Sequence, residues 1–503
     1  MRLRISLALL CICIAASIFV ACKHKPTVAP DGGYPPEIAN IIVNRCAISG
    51  CHNQSSFSAC DSLLLDTWDH MFQGDNSGAV IVPFRPEYSP LLYFVNTDST
   101  LGPVFQPTMP YQARAPILSH SEYQLLADWI SKGAPDKDGN IPFASDAATR
   151  QKIYFTTQDG QTGIDLMGVV DAKSGIIMRY LTMGSNPTEV ESGHCVKFSE
   201  DGSNAYVAFY NSSILQKFNT TTDQIIGSTN LSVGTGWSIL ALDSANTKFL
   251  VSNWTDNGSV ATAFTNPMLV DPAQTYGALH YPHGIVANRS FDTFFVVSQF
   301  GNTVYKLDDP GSAPTNIIID QSPFATQIAG ANTPDPHDII MLRDYSKYFV
   351  TCQHTNEVRV MDAHADTLIK VIPVGVFPQE FAMSLRPSSP YLFVTCMQDS
   401  TGSTIPHTKG SVYVINYNDY SVKTIWYGDF YQPHSITVDD KDGLVYVFST
   451  NANGIPQHHA VKGQKDGWYS IYDLNTLRPL NDKRYETKTN PYSAATRFKH
   501  LGS

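Results

Sequence analysis

The sequence predicts a mixed architecture: a small all-α domain followed by an all-β propeller of seven blades. Three observations predict it. From Lys152 onward, short apolar runs separated by turn residues replace helical periodicity, and one phrase recurs roughly every 40 to 60 residues. Upstream of Lys152, two stretches carry apolar residues at helical spacing instead. The composition, with 33 Gly, 31 Pro, 25 Phe and 25 Tyr in 503 residues, suits strands and turns over most of the chain. The net charge of −11 excludes nucleic acid as a partner, because phosphate binding needs a basic footprint.

The chain opens "MRLRISLALLCICIAASIFVAC": two arginines, an apolar run from Leu7 to Ala16, then small residues. That is the layout of an export signal over residues 1–21. The ending "FVAC" resembles the lipobox of bacterial lipoproteins, in which the signal is cut before the cysteine and that cysteine is acylated. The resemblance implies lipidation at Cys22, membrane attachment through the lipid, and a place in the periplasm or at the cell surface. Lys23 after the cysteine resembles lipoproteins sent to the outer membrane. A soluble secreted protein or a retained anchor helix is the alternative. Residues 22–35, rich in Pro and Gly, read as a tether.

Of nine cysteines, Cys11 and Cys13 fall in the signal and Cys22 at its end. Cys46, Cys51 and Cys60 cluster, whereas Cys195, Cys352 and Cys396 lie singly in apolar strands and read as buried thiols. Ile38, Ile41, Ile42 and Arg45 share one helical face, which puts Cys46 at the end of a short helix. A second helix follows at "ILSHSEYQLLADWISKGAPD", with Ser119 as N-cap, Glu122 completing a capping box, Leu125, Leu126, Trp129 and Ile130 as the buried stripe, and Gly133 as the stop. Between them "PTMPYQ" sets Met109 in a Pro-flanked turn, and "NRCAISGCHNQ" sets His52 directly after Cys51.

These pieces resemble the small c-type cytochrome domain, over residues 36–137. In that family a CxxCH motif attaches haem through two thioethers, its histidine ligates the iron, and a methionine in an "MP" turn takes the other axial position. Here the spacer has four residues, CxxxxCH. The resemblance implies a covalent c-type haem with thioethers at Cys46 and Cys51, His52 as proximal ligand and Met109 as distal ligand. A six-coordinate His/Met iron has no open position, so the domain would carry electrons to or from a redox partner protein. A disulfide from Cys46 to Cys51 or to Cys60 is the plainer alternative in an exported protein. A zinc knuckle would need a paired second half that the sequence lacks.

Residues 150–503 carry the repeat. Its phrases begin "GHCVKF", "GWSILAL", "PHGIVA", "PHDIIM", "PQEFAM" and "PHSITV", with His194, Trp237, His283, His337, Gln379 and His434 in second place. A seventh start, "NPYSAATRF" with Tyr492, is too near the end for its remaining strands; residues 152–181 supply them, which predicts a ring closed by its two termini. Spacing and third strands such as "VYVIN" resemble the YVTN-type propellers of exported bacterial proteins.

The first strand of a propeller blade lines the central channel, so His194, His283, His337 and His434 are expected at one rim. His280, His354, His407, His458 and His459 map to the same face and His364 to the other. Two readings stand: turn chemistry copied by the repeat, or a site for copper or another transition metal held by imidazoles. Asp335, Asp338, Asp362 and Asp439 read as turn residues. No nucleophile elbow, phosphate loop or zinc-protease motif appears, so no hydrolase chemistry is indicated. The function expected is that of an exported c-type haem protein for electron transfer, coupled to a histidine-rich propeller face that holds a metal or a redox partner. The alternative is a non-catalytic binding or scaffold propeller with an accessory haem or disulfide-stapled domain.

Overall fold

The structure, a computed structural model, describes residues 31–158, 164–231, 234–308, 313–328, 330, 332–401, 409–428, 430–451, 458–459 and 466–499. The export signal, Cys22, residues 22–30 of the tether, and His407 lie outside the described residues.

Seven sheets surround a central channel. Blade 1 joins the chain's two ends: Pro491–Thr496 pairs antiparallel with Lys152–Thr157, followed outward by Asp165–Asp171 and Ile176–Met183. The ring is thereby closed without a free inner edge. Blades 2 to 7 open with Gly193–Phe198, Trp237–Leu242, Pro282–Ala287, Pro336–Met341, Pro378–Met383 and Pro433–Asp439. The second strands TFFVVS, KYFVTC, YLFVTC and LVYVFS share one burial pattern, with every residue after the first buried. Aromatic and β-branched side chains fill both faces because each blade is packed between two others. Phe295 against Tyr348 (ring centroids 4.9 Å apart) and Phe155 against Phe448 (5.1 Å) are such inter-blade contacts. Outer strands lose this burial, and Gln224–Asn230 is almost wholly exposed.

One local irregularity positions the channel side chains. In blades 2 to 7 the pairing of first and second strands slips just after the opening residue, between Gly193 and Cys195, Trp237 and Leu240, Pro282 and Ile285, Pro336 and Ile339, Pro378 and Phe381, and Pro433 and Ser435. A bulge there re-aims the intervening side chain. Hydroxyls of the second strands then fix the next blade: Ser252 donates to the His283 carbonyl (2.6 Å), Thr351 to that of Gln379 (2.8 Å) and Thr395 to that of His434 (2.8 Å).

The expected small all-α cytochrome c-like domain is corrected by the structure. The molecule is nearly all β, 42% strand against 9% helix, and among the described residues no separate all-α unit precedes the propeller. Residues 31–150 are mostly turns, with helices of four to six residues at Pro36–Ile41, Trp68–Met71 and Pro90–Val95 and one of twelve, His120–Ser131. Seven prolines between Pro83 and Pro116 explain this, since each removes a backbone donor and crowds the preceding turn. The segment also shares its burial with the propeller. Val82 packs with Phe155, Ile176, Tyr180 and Tyr485, the Arg85 guanidinium donates to the Tyr180 carbonyl (3.0 Å), and the Glu486 amide donates to the Ser77 carbonyl (2.8 Å). The expected capping box is present, with the Ser119 amide donating to Glu122 (2.7 Å), and Leu126, Trp129 and Ile130 are buried while Leu125 is only partly so.

Candidate functional site

Two cavities hold the chemistry. The first, about 510 Å³, lies where the N-terminal segment meets blade 7. Its lining brings together Cys46, Cys51, His52 and Met109 with Cys60, Leu65, Val80, Leu91 and Phe94, and is closed on the propeller side by His458 and His459. Its volume falls in the range of cofactor and ligand sites.

The sequence folds locally to serve this cavity. The helix Pro36–Ile41 runs into a single wider turn, Ile42–Cys46, which delivers Cys46. The four-residue spacer then turns back on itself: the Cys51 amide donates to the Ile48 carbonyl (3.0 Å) and the His52 amide to the Cys46 carbonyl (3.1 Å). Gly50, at φ +79°, allows that turn. The two extra residues are thus absorbed, and His52 still returns beside Cys46. His52 Nδ1 lies 3.2 Å from the Leu63 carbonyl, which fixes the ring and leaves Nε2 as the free lone pair. Burial lowers the His52 pKa, keeping the imidazole neutral, and burial pushes the Cys46 thiol up to about 12. Cys46, Cys51 and Cys60 are free thiols, so neither disulfide alternative is formed. Arg45 is tied to Glu122 and to the Pro116 and Ile117 carbonyls, while Arg114 lines the cavity beside Gly50.

The second cavity, also about 510 Å³, is the mouth of the propeller channel. His194, His283, His337 and His434 all line it and are at most 8% exposed, together with Gln379 and Tyr492 from two further opening positions. The ring centroids of His283 and His337 are 4.2 Å apart, those of His194 and His283 5.8 Å, and those of His337 and His434 6.1 Å. Tyr492 stacks on His434 at 4.0 Å. His283 Nδ1 faces the His337 carbonyl (2.8 Å) and His434 Nδ1 the Tyr492 carbonyl (2.9 Å). Burial holds all four imidazoles below their ordinary pKa, His283 and His434 at about 4. The remaining opening residue, Trp237, is buried within the blade core instead.

Glu380 is a candidate site residue that the sequence does not single out. It occupies third place in its phrase, as Asp338 does one blade earlier. Burial, then the charge of Asp338 against it, raises the Glu380 pKa well above the usual carboxylate range. Two acids at one phrase position in successive blades were the signal available. Burial lowers the Lys197 pKa, but its neighbours Cys195, Asp338 and Glu380 outweigh this and the net direction is upward.

Other expected residues fall elsewhere. His354 lines the channel mouth, 3.3 Å from Asp335. His280 pairs with Asp256 (2.9 Å). His458 and His459 lie over the first cavity rather than the second: His458 stacks on Phe94 at 5.3 Å, and His459 is clasped by Asp75 (3.3 Å) and Glu486 (3.5 Å). Asp335, Asp338, Asp362 and Asp439 each accept backbone N–H groups, and Cys195, Cys352 and Cys396 are buried free thiols.

No protein-family profile matches the chain, and no curated protein does. Among solved structures it is similar to a functionally unknown protein from Desulfotomaculum acetoxidans, with 10% identity and a TM-score of 0.50 over 68% of this chain and all of that one. Hydrazine synthase of Kuenenia stuttgartiensis is a weaker likeness, with 14% identity and a TM-score of 0.43 over 61% of this chain and 89% of that one. At such identities the likeness shows the fold alone, and that fold is a seven-bladed β-propeller.

Proposed function

We propose that this chain is an exported c-type haem protein for electron transfer, anchored through a lipid on Cys22, with the haem in the cavity between the N-terminal segment and blade 7. One observation carries the reading: Cys46, Cys51, His52 and Met109, four residues spread over sixty-odd positions, line a single apolar cavity. The donor set suits the group. Two free thiols stand ready for thioether formation, a neutral imidazole offers Nε2, and a thioether sulfur is available on Met109. Haem bound there would supply one-electron chemistry, and a His/Met pair favours the reduced iron. The protein's part is to hold His52 in one tautomer through the Leu63 carbonyl, to exclude water with Leu65, Val80, Leu91 and Phe94, and to offer Arg114 to a propionate carboxylate. The propeller would present the surface on which a redox partner docks.

The test is co-expression with a cytochrome c maturation system. The expected result is a mass increase of one haem and a pyridine haemochrome spectrum, both lost in a Cys46→Ala, Cys51→Ala double variant. Met109→Ala should keep the covalent haem but lose the methionine-ligand band. A chain that matures without covalent haem refutes the reading.

A second reading is favoured by a different feature. Trp254, Tyr281 and Phe300 pack at tilted to edge-on angles beside the channel mouth, with ring centroids 4.9 to 5.8 Å apart. Such a cluster suits a propeller that binds a protein or glycan without catalysis.

A further inference from the structure

The channel mouth of the propeller carries a site of its own. His337, Glu380 and His434, from three different blades, each offer one donor atom, and the three atoms lie within 4.8 Å of one another. The ring of His434 is already oriented: Nδ1 is spent on the Tyr492 carbonyl at 2.9 Å. Its other nitrogen, Nε2, is buried and has no hydrogen-bond partner. A buried lone pair without a donor is costly, and native interiors rarely leave one. His194 Nε2, on the other side of the same cavity, is buried and unpartnered as well. The ring of His283 stands 4.2 Å from that of His337 and is held through its own Nδ1, so its Nε2 too is directed away from the backbone. Turn chemistry accounts for the Nδ1 bonds of His283 and His434 but not for the nitrogens left over.

We propose that His337, Glu380 and His434 bind one divalent transition-metal ion, of the zinc or copper class, at the propeller axis, with His283 beside them. Two imidazoles and a carboxylate form the ligand set that keeps one or more coordination positions open to water or a small molecule. Metal would give His434 Nε2 the partner it lacks. The bulges after Pro336, Pro378 and Pro433 are what bring the three donors from separate strands to one point.

The full chain, stripped of metal with chelator, is titrated with Zn²⁺, and bound zinc is counted by elemental analysis after dialysis. One zinc per chain is expected, counted independently of any haem iron. His434→Ala and the near-isosteric Glu380→Gln should each weaken binding, by about a hundredfold for the histidine. His364→Ala, an exposed histidine that lines neither cavity, should leave it unchanged. Co²⁺ in place of zinc should give the visible bands of a four- or five-coordinate ion, and these should vanish in Glu380→Gln if that variant keeps its wild-type melting temperature. The proposal is overturned if the wild-type chain retains no zinc and shows no cobalt bands. It is equally overturned if zinc is retained undiminished by folded Glu380→Gln and His434→Ala.

Discussion

The propeller and the N-terminal segment solve the problem of burying a chain in opposite ways. The propeller repeats one sheet seven times, four-stranded in six blades and five-stranded in blade 7, and lets each blade's two faces be covered by its neighbours, so each blade core is built almost wholly from strand residues. The N-terminal segment has no repeat. It gathers short helices and turns around Tyr34, Leu126, Trp129 and Ile130, and completes its burial against blades 1 and 7. Regular packing leaves a cavity on the symmetry axis, where side chains from many blades converge. Irregular packing leaves a cavity wherever turns fail to interdigitate, and there the sequence has placed its thiols.

The largest effect that separates the two regions is on ring closure. Truncation before Pro491 removes the inner strand of blade 1, with the pairings of Ile153 to Thr496 and Tyr154 to Ala495. It also removes Arg497, which is 2% exposed and donates to the carbonyls of Gly202, Ala147, Arg150 and Ala148. Blades 1 and 2 lose a shared wall, and the unfolding transition of the whole propeller should lose its cooperativity in calorimetry. A truncated chain that melts as one sharp transition near the wild-type temperature would show that closure by the termini is dispensable.

Trp129→Ala should do the reverse. Trp129 lies in the N-terminal core, stacked edge-on to Tyr34, and its Nε1 donates to the Pro135 carbonyl (2.8 Å). Its loss costs about 3–5 kcal/mol by cavity formation. Hydrogen exchange should then rise across residues 34–134 while the inner strands of blades 3 to 5 keep their protection. Uniform loss of protection over both regions would mean that they unfold as one unit.

The two regions also differed in how far they could be read. The propeller was legible because the opening phrase copies itself: a repeat aligns its own positions, so His194, His283, His337, His434 and Tyr492 could be placed at one rim without any structure. Glu380 escaped because an acid in a repeat turn reads as a turn residue, and only the bulge after Pro378 shows that this one is directed inward. In the N-terminal segment, local signals carried well. The capping box at Ser119 and the short helix before Cys46 depend on neighbours in sequence. What did not carry was the fold class. Helical spacing over Ile38–Arg45 and Leu125–Ile130 predicts an all-α domain, but the prolines between Pro83 and Pro116 break the intervening chain. Nor could the sequence show that His458 and His459 leave the axis to cap the first cavity, since their contacts with the N-terminal segment, His459 to Asp75 and His458 to Phe94, join residues hundreds of positions apart.

That seam supplies the subtlest effect. His459 is 5% exposed and sits between Asp75 of the N-terminal segment and Glu486 of the last blade, with His458 beside it and Lys488 as the opposing cation. Burial alone would lower its pKa, but the hydrogen bond and charge of Asp75 and the charge of Glu486 outweigh burial and Lys488, and the net shift is upward from 6.5. His458 is pushed the other way, chiefly by burial and then by His459. A raised pKa in the folded state means that the protonated imidazolium stabilises the seam. That contribution is fully present below the unfolded pKa near 6.5 and is lost as pH rises through the higher folded value. Amide exchange at residues 75–78, corrected for its intrinsic pH dependence, should therefore quicken on going from about pH 6 to about pH 9. A His459→Gln variant should be equally loose at both. Identical profiles for wild type and variant would mean that the two regions are joined by their backbone bonds alone, the Glu486 amide to the Ser77 carbonyl and the Arg484 amide to that of Asn76.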